Sequence, residues 1–292
     1  MDKVVAKSGF ARGNSLWRYT FIRLRRNYLA MIGLAVILVL ILAAVFAERI
    51  APYGYATQDY AMIRKPPSAR HLLGTDEFGR DVLSRLIYGS RVSLQVGFIA
   101  VSIALAAGGT IGAVAGYFGG AVDNLLMRIM DVQLAIPTIL LAIVISSVLG
   151  PGLFNLMIAV GITAIPRFAR LMRASVLSVK NTEFIEAARA MGASHTRVIL
   201  LYIMPNCMAP LIVQATINVA NAILFAATLS FLGLGVQPPY PEWGGMLSAA
   251  RPYLRGNAYL SVFPGLAIMI TIVALNCVGD GLRDALDPKQ KR

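Results

Sequence analysis

The stretch NTEFIEAARAMGASHTRVILLYIMPN, Asn181 to Asn206, lies between two long apolar runs, yet it carries charges and a glycine break. Asn181 can accept a hydrogen bond from the free N–H groups that open a helix, and Glu183 places negative charge in its first turn. Phe184, Ala187, Ala188 and Met191 recur at i, i+3, i+4 and i+7, so they share one helical face. Glu186 and Arg189 lie elsewhere on the cylinder. Gly192 can take the left-handed conformation that closes a helix, and Ser194 can cap a second one. The expectation is a short, small-faced helix, a tight turn, and a helix that enters a membrane at Pro205. Two adjacent alanines let another protein approach closely, which points to a docking element. The alternative is an amphipathic helix lying on the membrane surface, but such a helix wants bulky apolar residues and Lys or Arg flanks.

The runs on either side require lipid. Of 292 residues, 57% are hydrophobic and only 14% are charged, where a soluble domain has about a quarter charged. The run from Asn27 to Ala47 holds 21 residues without a charge, enough for a spanning helix of about 20. No small-residue cleavage site follows a short apolar core, so an uncleaved anchor is expected, not a signal peptide. Further spans are expected within Val92–Val122, then near Leu125–Val148, Phe154–Leu171, Cys207–Leu232 and Tyr259–Gly279, with Pro288 stopping the last. Gly233, Gly235, Pro238 and Pro239 limit the 44 uncharged residues from Val198 to Pro241 to one span.

The result is an all-α polytopic membrane protein of six helices, with both ends on one side. With that side cytoplasmic, the inner segments hold 18 of the 27 Lys and Arg, which favours N-in, C-in. The same bias accounts for the net charge of +13 without nucleic acid, since no basic run is interleaved with aromatics. Seven of the nine outer Lys and Arg lie in one loop of about 40 residues, which also carries Glu48, Asp59, Asp76, Glu77 and Asp81. Longer loops can be translocated despite positive charge. The expected organisation is a cytoplasmic segment 1–27, a first span 28–48, an outer loop 49–90, a five-helix core 91–284 and a cytoplasmic tail 285–292. Within the loop, Thr75 can cap a short interfacial helix with Asp76 and Glu77 in its first turn. Val82, Leu86 and Gly89 would share a face of the helix feeding the second span.

Glu186-Ala187-Ala188, Gly192 and the Ile203-Met204-Pro205 ending resemble the EAA loop of bacterial ABC-transporter membrane subunits. Tyr202 and Met204 depart from that pattern, each apolar for apolar. The blocks HLLGTDEFGRDVLSRLIYGSRVSL (His71–Leu94), AGYFGGAVDNLLMRIMDVQLAIP (Ala115–Pro137), QPPYPEWGGML (Gln237–Leu247) and GDGLRDALDPK (Gly279–Lys289) resemble the dipeptide and oligopeptide permease subfamily, specifically its C-type subunit. The likeness runs in order through nearly the whole chain. It implies a type I ABC importer-like permease fold whose EAA loop forms a cytoplasmic coupling helix, with Phe184, Glu186, Ala187, Ala188, Met191 and Gly192 meeting an ATPase. It implies a second homologous permease subunit as heterodimer partner, two ABC ATPase subunits and an extracytoplasmic substrate-binding protein, in a bacterial inner membrane. The same subunit type serves importers of glutathione, nickel chelates or oligosaccharides, so the cargo stays open.

Gly108, Gly112, Gly116 and Gly120 recur every four residues and bare one face of the second span for close helix packing. They are not a phosphate loop: nothing in the chain fits GxxxxGK[ST], so ATP and Mg are expected on the partner ATPase, with no cofactor on this chain. Arg128 with Asp131, and Asp280 with Arg283 and Asp284, lie near span ends as candidate structural ion pairs; the alternative is a functional role within the membrane. Pro137, Pro166, Pro205 and Pro210 interrupt or end helices and leave carbonyls free to line a cavity or hinge. Tyr240 and Trp243 could anchor at headgroup level or contact a delivering protein. An intramembrane enzyme is disfavoured. Ser194 and His195 are sequence neighbours that point apart on a helix, and His71 is expected across the membrane from them. A metalloenzyme lacks ligands. Cys207 and Cys277 read as small apolar packing residues.

Overall fold

The computed structural model describes residues 22–286. The expected cytoplasmic segment up to residue 21, the stop at Pro288 and the tail from residue 287 lie outside those residues. The helices are α1 (Tyr28–Val45), α2 (Ala47–Ile50), α3 (Val82–Phe118), α4 (Gly120–Ala135), α5 (Thr138–Leu149), α6 (Leu153–Val179), α7 (Glu183–Ala190), α8 (His195–Phe231), α9 (Trp243–Ala250) and α10 (Tyr259–Leu286). Helix α8 contains a π-helical stretch, Val198–Ile203.

Five of these, α1, α3, α6, α8 and α10, are each long and apolar enough to cross a bilayer. The expected third span, near Leu125–Val148, is broken at Pro137. Helices α4 and α5 meet at 93°, because Pro137 has no N–H to give and forces Ile136 into an extended conformation, φ −88° and ψ 128°. Read as one bent span, the pair makes a sixth crossing.

Side-chain size sets the packing. Helices α3 and α6 form the most extensive pair, and α8 packs on both and on α10, which in turn holds α1. A Cβ on Gly108 would come within 2.5 Å of the Ile165 carbonyl oxygen and 2.7 Å of Phe168 Cβ. A Cβ on Gly112 would strike the Ala169 carbonyl, and one on Gly116 would sit 2.8 Å from Val176 Cβ. These three glycines lie on the seam between α3 and α6. Gly120 is not part of it: it has φ +54°, faces open space and lies in the turn that opens α4. Cys207 is buried in a cluster with Ile203 and Leu211.

The second span starts ten residues earlier than expected. Val82 opens α3, which at 1.5 Å per residue makes its 37 residues about 55 Å long, well beyond a 30 Å hydrocarbon core. No separate interfacial helix begins at Thr75. The Asp76 carboxylate accepts from its neighbours Phe78 N–H and Arg80 N–H, both 2.9 Å, closing a turn in place of a helix. Thr75 instead donates its hydroxyl to the Met62 carbonyl. The cap is Asp81, which accepts from Ser84 N–H and Ser84 Oγ at 2.7 Å and contacts His71 Nδ1 at 3.0 Å. Around it Arg80 binds Asp76 at 2.6 Å and Glu77 at 3.0 Å, and Arg85 approaches Asp76 at 3.4 Å. This charged knot crowns one end of the bundle.

Trp243 is also not where it was expected. It is 1% exposed and donates Nε1–H to the Leu86 carbonyl at 3.1 Å. Gly89 leaves room for its ring, where a Cβ would stand 3.0 Å away. It is a core residue locking α9 onto α3, while Tyr240 stays exposed and stacks near Tyr55.

Candidate functional site

At the opposite end from the charged knot, α7 forms a short projecting helix. Its N-cap is Thr182, not Asn181, and no side chain caps the free N–H groups; the Thr182 hydroxyl donates back to the Val179 carbonyl at 2.7 Å. The helix closes as expected. Gly192 has φ +82° and donates to the Arg189 carbonyl at 2.9 Å, and Ala193 donates to the Ala188 carbonyl at 3.1 Å. This double bond pattern ends a helix only where one residue can be left-handed. Ser194 Oγ then accepts from Arg197 N–H at 3.4 Å and starts α8.

The expected face splits in two. Ile185 and Ala188 are fully buried, Ile185 in a cluster with Met172, Val176, Val198 and Ile203. Phe184, Glu186, Ala187 and Met191 are exposed, Met191 at 78%. Ala188 is therefore a root of the knob and not part of its outer surface. The reason is that α7 must seat itself on the bundle before it can present anything, and Ile185–Ala188 at i, i+3 does so.

Ties absent from any local pattern hold this knob. Tyr117, at the end of α3, meets His195 Nδ1 through its hydroxyl at 2.8 Å, and the Arg189 guanidinium stacks 5.1 Å over the Tyr117 ring. Lys180 Nζ donates to the Gly116 carbonyl at 3.1 Å. Residues 78 positions apart carry no signal of their pairing in sequence. The knob is thus tied to α3, α6 and α8 together. His71 and His195 touch residues 36 positions apart on α3, a separation of about 54 Å, so no joint histidine chemistry is available.

The candidate ion pairs are rearranged. Asp131 binds Arg170 of α6 at 2.5 Å and not Arg128; Asp123 binds Arg173 through two bonds of 2.5 and 2.6 Å. Helix α4 is thereby fastened to α6 by charge. Among the described residues no ion pair joins Asp280, Arg283 and Asp284; Asp284 instead shares a groove with Arg23 and Arg26 near the start of α1. Pro166 lies inside α6 and leaves the Ile162 carbonyl without its helical donor. Gln133 of α4 fills that place at 2.6 Å.

At mid-height a cleft opens where α3, α5, α6 and α8 converge. Ala100, the middle residue of α3, lies on its wall, and Thr138, Thr163, Arg167, Asn218 and Asn221 supply its polar groups. Arg167 reads in sequence as the beginning of an inner segment. The structure carries α6 on to Val179 and leaves Arg167 near the middle of that helix.

Comparison with known proteins agrees with this architecture. Residues 108–292 match the family model of the binding-protein-dependent transport system inner membrane component, and residues 15–67 match that of the N-terminal transmembrane domain of oligopeptide transport permease C. The chain is 50% identical to a dipeptide transport system permease protein, DppC, of Alkalihalophilus pseudofirmus, over 95% of this chain and 91% of that one. It is 48% identical to the di/tripeptide permease DppC of Pseudomonas aeruginosa, covering 90% and 88%. It is 46% identical to the glutathione permease GsiD of Escherichia coli, covering 94% and 91%. A solved inward-facing structure of the MetNI methionine ABC transporter shares the fold, with TM-score 0.56 at 21% identity, over 70% of this chain and 96% of that one. The chain therefore belongs to the binding-protein-dependent transport system inner membrane components, the permease subunits of bacterial ABC importers.

Proposed function

We propose that this chain is the C-type permease subunit of an importer for di- or oligopeptides. It forms half of a translocation path with a second, homologous permease as a heterodimer. Two ABC ATPase subunits bind ATP and Mg and supply the work; this chain binds no cofactor. An extracytoplasmic binding protein delivers the peptide, and both chain ends lie in the cytoplasm. The relatives named for dipeptides and di/tripeptides support the cargo.

The observation that carries the reading is the α7 knob. Phe184, Ala187 and Met191 are apolar and exposed at the tip of an element whose root is fully buried. When ATP closes the ATPase pair, a knob seated in a groove is displaced with it. Ties from Tyr117, Lys180 and the buried Ile185 pass that displacement to α3, α6 and α8. The helices then rock between two arrangements that open the path to alternate sides.

Gly192→Pro tests this. Proline holds φ near −65° and cannot supply the +82° that the turn requires. The variant should insert and still bring down the second permease, but ATP hydrolysis should no longer drive uptake in proteoliposomes. Transport at the wild-type rate would refute the role of the turn. A glutathione importer is the second reading, favoured by the 46% identity to GsiD; competition between labelled dipeptide and glutathione for uptake separates the two.

A further inference from the structure

We propose that Arg167 is an anion station within the bilayer, receiving the terminal carboxylate of a peptide in transit, with Asn221 as its neighbouring donor. The proposal rests on the peptide-importer reading and adds the chemistry of the path.

Position comes first. Arg167 lies 14 residues from Leu153 and 12 from Val179, so it stands near the middle of α6, about 21 Å from its opening. Ile165 and Phe168, on either side of it, meet Gly108 of α3, which stands near the middle of the uncharged run from Val92 to Val122. A guanidinium there is costly against acyl chains, so intramembrane arginines face protein or water and mark pathways.

The charge is uncommitted. Among the described residues, nothing forms an ion pair or hydrogen bond with Arg167, which is exposed to the cleft. The two carboxylates of α4 are taken, Asp131 by Arg170 and Asp123 by Arg173. Those pairs lie one and two turns further along α6 and close that face. The carbonyl freed by Pro166 is likewise occupied by Gln133. What remains at the cleft is a surplus of donors. Arg167 offers a planar fork that fits a carboxylate with two parallel bonds. Asn221 is half-buried with its amide unspent, while Asn218 donates to the Gln214 carbonyl at 2.8 Å. Thr138 begins α5, whose first N–H groups have no side-chain cap and add positive potential on the same side.

A carboxylate is the group common to peptides. A cargo without one, or a cation, gains nothing here. Two other sources of an anion exist, a lipid headgroup and an acidic side chain of the second permease, and the experiment distinguishes them.

The complete importer is reconstituted in proteoliposomes of neutral phosphatidylcholine, and uptake of labelled dialanine is measured. With an anionic headgroup absent, uptake that still depends on Arg167 points to the cargo. Arg167→Gln should lower uptake about tenfold or more, the size of one charged hydrogen bond. Arg167→Lys should retain an intermediate rate, and Asn221→Ala should cost about threefold, as for a neutral bond. Co-purification of the second permease should be unaffected. Uptake by Arg167→Gln within twofold of wild type would overturn the proposal. So would loss of the second permease from that variant, which would make Arg167 an interface ion pair. So would an Arg167 effect seen only in vesicles with anionic lipid. Failure of the wild-type complex to take up any peptide would remove the importer reading itself, and the station with it.

Discussion

Glu242 is only 3% exposed, yet it accepts Gly244 N–H and Gly245 N–H at 2.9 and 2.8 Å as the cap of α9. Burial holds its carboxyl above the ordinary 4.5, against the pull of those two bonds. Between 4.5 and that raised value, the folded chain keeps a proton that the unfolded chain has released. This contribution is therefore lost as pH rises through the window. Glu242→Gln cannot ionise and keeps one acceptor for the cap. Its melting temperature in detergent should be flatter with pH than that of the wild type; identical slopes would assign the effect to another group. Glu77 is pushed the same way, by burial first and by Asp76 second, with Arg80 opposing. In both cases the long-range setting of a side chain decides its chemistry. Nothing local marks Glu242 for burial, and the aromatic beside it, Trp243, reads as a headgroup anchor although it fills the core.

At the level of elements, glycine spacing and proline position were informative where the consequence is local. Three glycines of α3 lie on the seam with α6, and the bare backbone lets the two axes approach. Gly112→Leu should force them apart at a cost of about 1–3 kcal/mol or more, read as loss of thermal stability and of membrane-inserted protein. Gly120→Leu is the control, since nothing stands within 4 Å of that site and only its φ of +54° resists the change. Unchanged stability in Gly112→Leu would mean that the seam opens without penalty. Local signals misled where a side chain had two partners to choose from. Asp76 can open a helix or fold over its own turn, and the two backbone N–H bonds of the turn prevail. Ala188 can face out or in, and the neighbouring Ile185 turns it inward.

For the whole molecule, the sense of insertion is the next quantity to measure. If both ends are cytoplasmic, cysteine substituted at Ala187 should react with a membrane-impermeant thiol reagent only after the cells are opened. Cysteine at Tyr60, in the loop before α3, should react in intact cells. The reverse pattern would invert the topology and remove the knob from any ATPase. The uncharged runs made the membrane class and five of the spans legible, because each depends on composition along a single segment and lipid selects segments one at a time, while the family was legible in short local blocks such as Glu186-Ala187-Ala188. The closing turn at Gly192 was legible for the same reason. The bonds from Tyr117 to His195 and from Gln133 to Ile162, and the exchange of Asp131 from Arg128 to Arg170, were not. Each joins residues far apart in the chain, and their distance is fixed only when helices pack against one another, where side-chain volume and the need to satisfy buried polar groups act together.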